Sequence, residues 1–227
     1  ISLISEAFLI LSSHQLMPKM NYQEIIDHYE ACLLSHGDTH LGVDWPRKED
    51  AIKRYSIMLD LIRGQEGQIS VLDFGCGAAH LYDYIIDQGI TRIDYAGLDI
   101  SDKFIALCRK KYPKVEFHCA DILANDALLN QFDYIVMNGV FTEKQVLTHQ
   151  EMTEYFQLLL KKIFPLARKG IAFNVMSKLV DWERNDLFHL SLDEMAAFVT
   201  ETLSRNFVIR QDYGLYEYTV YLFHDHC

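Results

Sequence analysis

The sequence predicts an α/β sandwich of three layers, with helices on both faces of a mostly parallel seven-stranded sheet whose last strand is antiparallel. Helical and strand patterns alternate from about residue 50 onward. The chain has 227 residues, of which 50% are apolar, enough for one large core. The turn around Gly214 is shorter than the roughly dozen residues that a parallel crossover needs, so the strands on either side must pair antiparallel.

The individual elements follow from short apolar runs for strands and from apolar spacing of three to four residues for helices. Ser101 is expected to cap one helix, and Ser191 with Glu194 forms the capping-box pattern at the start of another. The predicted strands are 69–74, 95–100, 115–119, 134–137, 170–175, 207–211 and 218–223, and the predicted helices are 22–35, 48–63, 79–88, 102–112, 151–166 and the segment after Ser191.

We expect a single domain over residues 21–227, in which residues 21–65 form a helical N-terminal cap. Residues 1–20 are largely apolar, but they lack a basic start, carry Glu6 and are too short to span a bilayer. They are either an extension outside the native protein or an accessory amphipathic helix. We favour the extension, because Met17 and Met20 are both suitable natural starts.

Composition and charge exclude several classes of partner. The net charge is −11, whereas binding to a nucleic-acid backbone needs clustered Lys and Arg. The five cysteines are odd in number and form no C-x-x-C pair, which favours a reduced, cytoplasmic protein. The ten histidines show no H-E-x-x-H spacing. We therefore expect no metal, no nucleic acid and no membrane partner.

The segment 71–79 carries the strongest functional signal. An apolar strand contains Asp73 and ends in a turn with Gly75 and Gly77, and a helix follows. Such a turn lets a ligand lie against bare backbone at a helix N-terminus. Asp99, Asp121 and the pair Asn138-Gly139 stand at the ends of the next three strands. Because ligands bind at the carboxyl ends of strands in open α/β sheets, these residues predict one shared site.

A dinucleotide site is the first alternative, since the G-x-G-x-x-G fingerprint also places an acid about 20 residues downstream. Here His80 stands in place of the third glycine. Asp73 also precedes the turn, and an acid there suits an ammonium group better than a pyrophosphate. The pattern therefore favours a ligand with an amino group.

From about residue 50 to 225 the chain resembles the class I S-adenosylmethionine-dependent methyltransferases, whose fold is Rossmann-like. The matching segments are Val-Leu-Asp-Phe-Gly-Cys-Gly at 71–77, Gly-Leu-Asp-Ile-Ser at 97–101, Ala-Asp-Ile at 120–122 and Phe-Asp-Tyr-Ile-Val-Met-Asn-Gly at 132–139. Ala79 stands where the family often has a further glycine. The resemblance implies S-adenosylmethionine as the cofactor.

The resemblance also implies roles for individual residues. Phe104 would pack on adenine or belong to the core, and Arg54 would either reach the cofactor carboxylate through a bidentate contact or lie exposed on its helix. By the same resemblance, Asp99 would bind the ribose hydroxyls, and the methionine moiety would be held by Asp73, Gly75, Cys76 and Gly77. The adenine would be contacted by Ile100, Asp121 and Ile122. Asn138 and Gly139 would line the methionine side of the site and face the acceptor.

The implied reaction is methyl transfer to an oxygen or nitrogen atom of a small molecule. The alternatives are an NAD(P)-dependent oxidoreductase and a non-catalytic protein that binds the same cofactor as a partner of another protein. The acceptor pocket is expected between the N-terminal helices and the loop 177–190, which contains Trp182. We assign no general base; the candidates considered are His36, His40, His149, Asp181 and His189.

Overall fold

The computed structural model describes residues 22–124 and 130–224, so the expected extension over residues 1–20 lies outside the described residues. The described chain forms one sheet in the order β3-β2-β1-β4-β5-β8-β7, with β6 pairing beside β5. The strands are β1 (Ile69–Phe74), β2 (Ile93–Asp99), β3 (Glu116–Cys119), β4 (Phe132–Phe141), β5 (Ala167–Ser177), β6 (His189–Leu190), β7 (Phe207–Arg210) and β8 (Glu217–Phe223).

The sheet confirms the predicted mixture of parallel and antiparallel pairing. Strands β1 to β6 pair in parallel, and β8 runs antiparallel to both β5 and β7. The predicted number of seven strands is wrong, because the sheet formed by residues 22–124 and 130–224 already has eight. The additional strand, β6, spans only His189 and Leu190, which is too short to produce an alternation that sequence can reveal.

Six α-helices accompany the sheet in the described chain, and they match the predicted positions closely. Two predicted helices end early because their last turn is a 3-10 turn, at Asp60–Ile62 and at Phe164–Leu166. Ser101 and Ser191 cap the helices that they were expected to cap. The helices are α1 (Gln23–His36), α2 (Lys48–Leu59), α3 (His80–Asp87), α4 (Asp102–Lys111), α5 (His149–Ile163) and α6 (Leu192–Thr202).

The core consists of two apolar clusters, one on each face of the sheet. Successive residues of a strand point to opposite faces, so Leu72 joins the cluster under α5 and α6 while Val71 joins the cluster under α2, α3 and α4. This arrangement gives the three expected layers. None of the described helices has the length and apolar character needed to cross a bilayer.

Candidate functional site

A single cavity opens at the carboxyl ends of β1, β2 and β4 and beside the loop that follows β3, as expected for this sheet topology. It is lined by every residue that the sequence assigned to the cofactor, with the exception of Arg54. The predicted residues that line it are Asp73, Gly75, Cys76, Gly77, Asp99, Ile100, Phe104, Asp121, Ile122, Asn138 and Gly139. The strand ends therefore converge as the spacing of the motifs predicted.

The turn after β1 depends on backbone conformations that favour glycine. Gly75 has φ of 74°, and a Cβ atom there would lie 2.7 Å from the Val140 side chain at the end of β4. Gly77 has φ of 51°, and Ala79, at the N-cap of α3, also has a positive φ of 59°. The turn can approach β4 and leave backbone exposed to the cavity only with glycine at residue 75.

Asp99 links the ends of β1 and β2. Its carboxylate accepts hydrogen bonds from the backbone N–H groups of Gly77 and Ser101, both at 2.9 Å. Burial raises the pKa of Asp99, and these backbone bonds act in the opposite direction. Each carboxylate oxygen has capacity for a further hydrogen bond. Asp99 can therefore hold the glycine turn and still accept from a ligand hydroxyl.

Asp73 is the most deeply buried acid of the site, with 3% of its surface exposed. It accepts a hydrogen bond of 2.8 Å from the Tyr95 hydroxyl. Burial raises the pKa of Asp73 to about 7, opposed by this hydrogen bond and assisted by the negative charge of Asp99. A cationic ligand group beside Asp73 would restore the charged form, which fits the expected preference for an ammonium group.

Asp121 occupies the other end of the cavity. It accepts hydrogen bonds from the backbone N–H groups of Leu123, at 2.9 Å, and Ala124, at 3.1 Å, and it also accepts one from the Tyr22 hydroxyl. The Tyr22 ring lies 5.5 Å from the Tyr155 ring. The start of α1 is thus fixed directly over the loop that follows β3.

Asn138 and Gly139 were expected to end the fourth strand, but β4 continues to Phe141, so they lie within it, where its register with β5 is irregular and where it borders the cavity. The Asn138 Oδ1 atom is buried and has no hydrogen-bond partner among the described residues. Gly139 has φ of 84°, and a Cβ atom there would lie 2.9 Å from the Trp45 ring. Buried polar atoms are normally paired, so Asn138 offers an acceptor to a ligand in this cavity.

The expected contact between Arg54 and a cofactor carboxylate is not supported by the geometry. Arg54 makes hydrogen bonds of 2.8–2.9 Å to both carboxylate oxygens of Glu217, a residue with 1% of its surface exposed. Glu217 also accepts from the Asn174 amide at 3.1 Å, and the Asn174 oxygen accepts from the Gly139 N–H at 2.7 Å. The Arg54 guanidinium lies 4.2 Å from the centroid of Trp45, so it supports the cavity wall from behind.

Helix α1 forms the roof of the cavity, consistent with the expected N-terminal helical cap, although the sequence did not identify which of its side chains line the cavity. One face of its N-terminal half, with Tyr22, Ile25, Ile26 and Tyr29, lines the cavity. The apolar spacing that predicted this helix does not distinguish a face turned to a core from one turned to a ligand. Glu30 ties the helix to α4 by accepting a hydrogen bond of 2.6 Å from Ser101, and it also forms an ion pair with Lys103.

The candidates for a general base do not belong to the described lining of the cavity. His40 contacts the Trp45 carbonyl at 2.6 Å, His149 contacts the His189 carbonyl at 2.9 Å, and His189 contacts the Ser177 carbonyl at 2.7 Å. These three rings hold loops in place. Trp182, expected at the acceptor, is 72% exposed and also lies outside the lining.

One cluster contains residue types that bind metal ions, although the sequence predicted no metal. The ligand atoms of His28, Cys32 and Asp44 lie within 4.8 Å of one another, and all three residues are half-buried. The i, i+4 spacing of His28 and Cys32 on α1 was a signal that the search for H-E-x-x-H did not consider.

Comparisons with known proteins agree with this geometry. Residues 71–162 match the family described as a methyltransferase domain. The chain is 26% identical, over 156 residues, to a Mycobacterium tuberculosis protein named "Putative methyltransferase Rv1506c", and the match covers 66% of this chain and 90% of that protein.

Solved structures share the fold across most of the chain. The magnesium protoporphyrin IX methyltransferase from Synechocystis PCC 6803, solved with bound S-adenosylmethionine, superposes with a TM-score of 0.58 at 15% identity, covering 91% of this chain and 95% of the other. The plantazolicin methyltransferase BpumL, solved with S-adenosylhomocysteine, gives 0.59 at 15% identity, covering 89% and 90%. The sequence matches and the shared fold agree with the motif resemblance: residues 71–162 are a methyltransferase domain, and the chain has the fold of S-adenosylmethionine-dependent methyltransferases.

Proposed function

We propose that the protein transfers the methyl group of S-adenosylmethionine to an oxygen or nitrogen atom of a small molecule. The observation that carries this proposal is the convergence of four polar residues from successive parallel strands and the loops that follow them, Asp73, Asp99, Asp121 and Asn138, on one cavity. Bound there, S-adenosylmethionine supplies a methyl group on a sulfonium sulfur, which a nucleophile displaces directly.

The residues of the cavity fit this cofactor. The unpaired Asn138 Oδ1 and the buried Asp73 carboxylate are both acceptors, as a ligand with an α-amino group requires. Gly75 and Gly77 allow the ligand to approach the backbone, and Asp99 has acceptor capacity left for ribose hydroxyls. Asp121 would accept from the adenine amine, and Ile100 with Phe104 would provide apolar contacts for the ring.

The chain's own contribution to catalysis is alignment and the exclusion of water. Tyr29 and the Trp45 ring, which lie near Thr142 and Gly139, would cover the methionine end, where the acceptor must approach the methyl group. Fixing two reactants in line supplies much of the acceleration of a bimolecular displacement. The roof is largely aromatic and apolar, which favours a planar or apolar small molecule, and the net charge of −11 argues against a nucleic-acid acceptor.

Isothermal titration with S-adenosylhomocysteine tests the cofactor assignment. Wild-type protein should bind it, and Asp99→Asn should bind it at least about tenfold more weakly, because a hydrogen bond to a charged group contributes roughly 1.5–3 kcal/mol. Asp133→Asn is the matched control: Asp133 lies at the start of β4, at the end of the strands opposite the cavity, and accepts hydrogen bonds from Ser70 and Arg168. It should bind like wild type.

Absence of binding at high micromolar concentration, or equal affinity of Asp99→Asn and wild type, would contradict the proposed site. Nicotinamide cofactor binding in the same titration would favour the oxidoreductase. Release of S-adenosylhomocysteine with a panel of small hydroxyl and amine acceptors then tests transfer. Tight binding with no turnover over the whole panel would favour a non-catalytic partner protein.

A further inference from the structure

The cluster of His28, Cys32 and Asp44 lies outside the lining of the cofactor cavity, on the side of α1 that faces the loop 37–47. The His28 Nε2 atom lies 2.8 Å from Asp44 Oδ2 and 3.9 Å from Cys32 Sγ. The imidazole and the thiol come from α1, and the carboxylate comes from the loop that follows this helix. We propose that His28, Cys32 and Asp44 bind a zinc ion that fastens α1 to this loop.

The spacing of the three ligand atoms suits a tetrahedral zinc ion. With bonds of about 2.0–2.1 Å to nitrogen and oxygen and 2.3 Å to sulfur, the ligand atoms of such an ion lie about 3.3–3.6 Å apart. The two measured separations bracket that interval, and no pair in the cluster exceeds 4.8 Å. Small side-chain rotations therefore convert the present contacts into a coordination shell.

The local backbone already presents these ligands in the required direction. His28 and Cys32 are one helical turn apart, so both side chains project from the same face of α1. Asp44 adopts the left-handed conformation, with φ of 57°, where a residue other than glycine is uncommon. That conformation follows the 3-10 turn His40–Val43 and places the Asp44 carboxylate against His28.

The donor set and the surrounding charge favour zinc over other cations. A mixture of nitrogen, sulfur and oxygen ligands suits zinc, whereas magnesium and calcium require oxygen. Glu143, which is 8% exposed, adds a second carboxylate whose charge acts on both Cys32 and Asp44. The side chains of His28 and Asp44 are 30% and 35% exposed, so solvent can reach the fourth position.

A zinc ion at this site would also stabilise the wall of the cofactor cavity. Tyr29 follows His28, and Val43 and Trp45 flank Asp44; these three neighbours all line the cavity. An ion that joins α1 to the loop would therefore hold both parts of the cavity wall together. The thiol proton of Cys32 is released to solvent on binding, which makes the zinc affinity rise with pH.

Cobalt substitution and zinc titration test the site without use of the methyltransferase reaction or its cofactor. Reduced full-length protein titrated with Co²⁺ should develop thiolate-to-cobalt charge-transfer absorption with one equivalent bound. Cys32→Ser should lose this absorption. Cys119→Ser is the matched control, since Cys119 is an exposed free cysteine elsewhere on the surface, and it should behave like wild type.

Competition with a chromophoric chelator measures the zinc affinity. His28→Gln and Cys32→Ser should each weaken it by at least about tenfold, because losing even an outer partner of a zinc ligand costs 10–100-fold. Zinc should also raise the melting temperature of wild type but not of these variants. Unchanged cobalt absorption in Cys32→Ser, or no zinc bound by wild type at high micromolar concentration, would overturn the proposal.

Discussion

Replacing Glu217 by glutamine tests whether the ion pair between Arg54 and Glu217 stabilises the cavity wall behind Trp45. Glu217 neutralises Arg54, whose side chain is 12% exposed, through three hydrogen bonds of 2.8–2.9 Å. Removing one partner of a buried ion pair typically costs about 3–5 kcal/mol, because the other charge remains buried. Glutamine keeps one acceptor oxygen, so we expect a loss near the lower end, about 3 kcal/mol.

The assay is thermal unfolding monitored by circular dichroism. For a chain of this length 1 kcal/mol corresponds to about 2–4 °C, so Glu217→Gln should melt roughly 6–12 °C below wild type. Asp212→Asn is the matched control, since it removes a carboxylate from an ion pair in which Asp212 is 71% exposed. Exposed pairs contribute little, and this variant should melt like wild type.

A second substitution separates the charge from the hydrogen bonds. Adding Arg54→Met to Glu217→Gln removes the unpaired cation while keeping much of its length, and the double variant should recover part of the lost melting temperature. Two results would contradict a stabilising role of this ion pair. One is a melting temperature of Glu217→Gln within about 2 °C of wild type. The other is a double variant that melts below Glu217→Gln.

Two further predictions concern the methionine end of the cavity. Because burial raises the pKa of Asp73 to about 7, its carboxyl must lose a proton to accept an ammonium group. The affinity for S-adenosylhomocysteine should fall about tenfold per pH unit below 7 in wild type and stay level in Asp73→Asn, as measured by calorimetry. Gly139→Ala, at φ of 84° and with a Cβ atom 2.9 Å from the Trp45 ring, should lower the free energy of unfolding by about 1–3 kcal/mol in urea titrations.

Each of these predictions has its own control. A pH dependence that persists in Asp73→Asn would assign the titration to another group, such as Glu143, whose pKa burial also raises to about 7. For the glycine, Gly64→Ala shares a positive φ of 77° but has open space around its Cβ position. It should cost less than Gly139→Ala, and equal losses would mean that the Trp45 ring does not restrict residue 139.

The floor of the cavity could be predicted from sequence because each of its residues belongs to a local pattern. Asp73 and the two glycines lie within one strand and its turn, and Asp99, Asp121 and Asn138 each end a short apolar run. Parallel strands bring such ends to one edge without further information. The locations of these side chains therefore followed from counting along the chain, and the structure places all of them in one cavity.

The roof and the wall could not be predicted in this way, because both depend on long-range contacts. Arg54 is separated from Glu217 by 163 residues, and Glu217 carried no local sign that it would be buried. In sequence, a helical arginine that binds a ligand cannot be distinguished from one that pairs with an acid far along the chain. The sequence left Arg54 between a cofactor contact and an exposed helix position, whereas the structure pairs it with Glu217.

The difference between residues fixed by local motifs and residues fixed by long-range contacts bears on the part of the site that would select the acceptor. In the proposed reaction the cofactor would contact strand ends whose positions the sheet fixes, whereas the acceptor would meet residues of α1 and Trp45, which are held by the ties of Glu30 to α4 and by the Arg54–Glu217 pair. These contacts can change without altering the strand-end motifs. On the proposed function, acceptor specificity would reside in residues that the strand-end motifs leave free, and substitutions in α1 should change the choice of acceptor before they change the affinity for the cofactor.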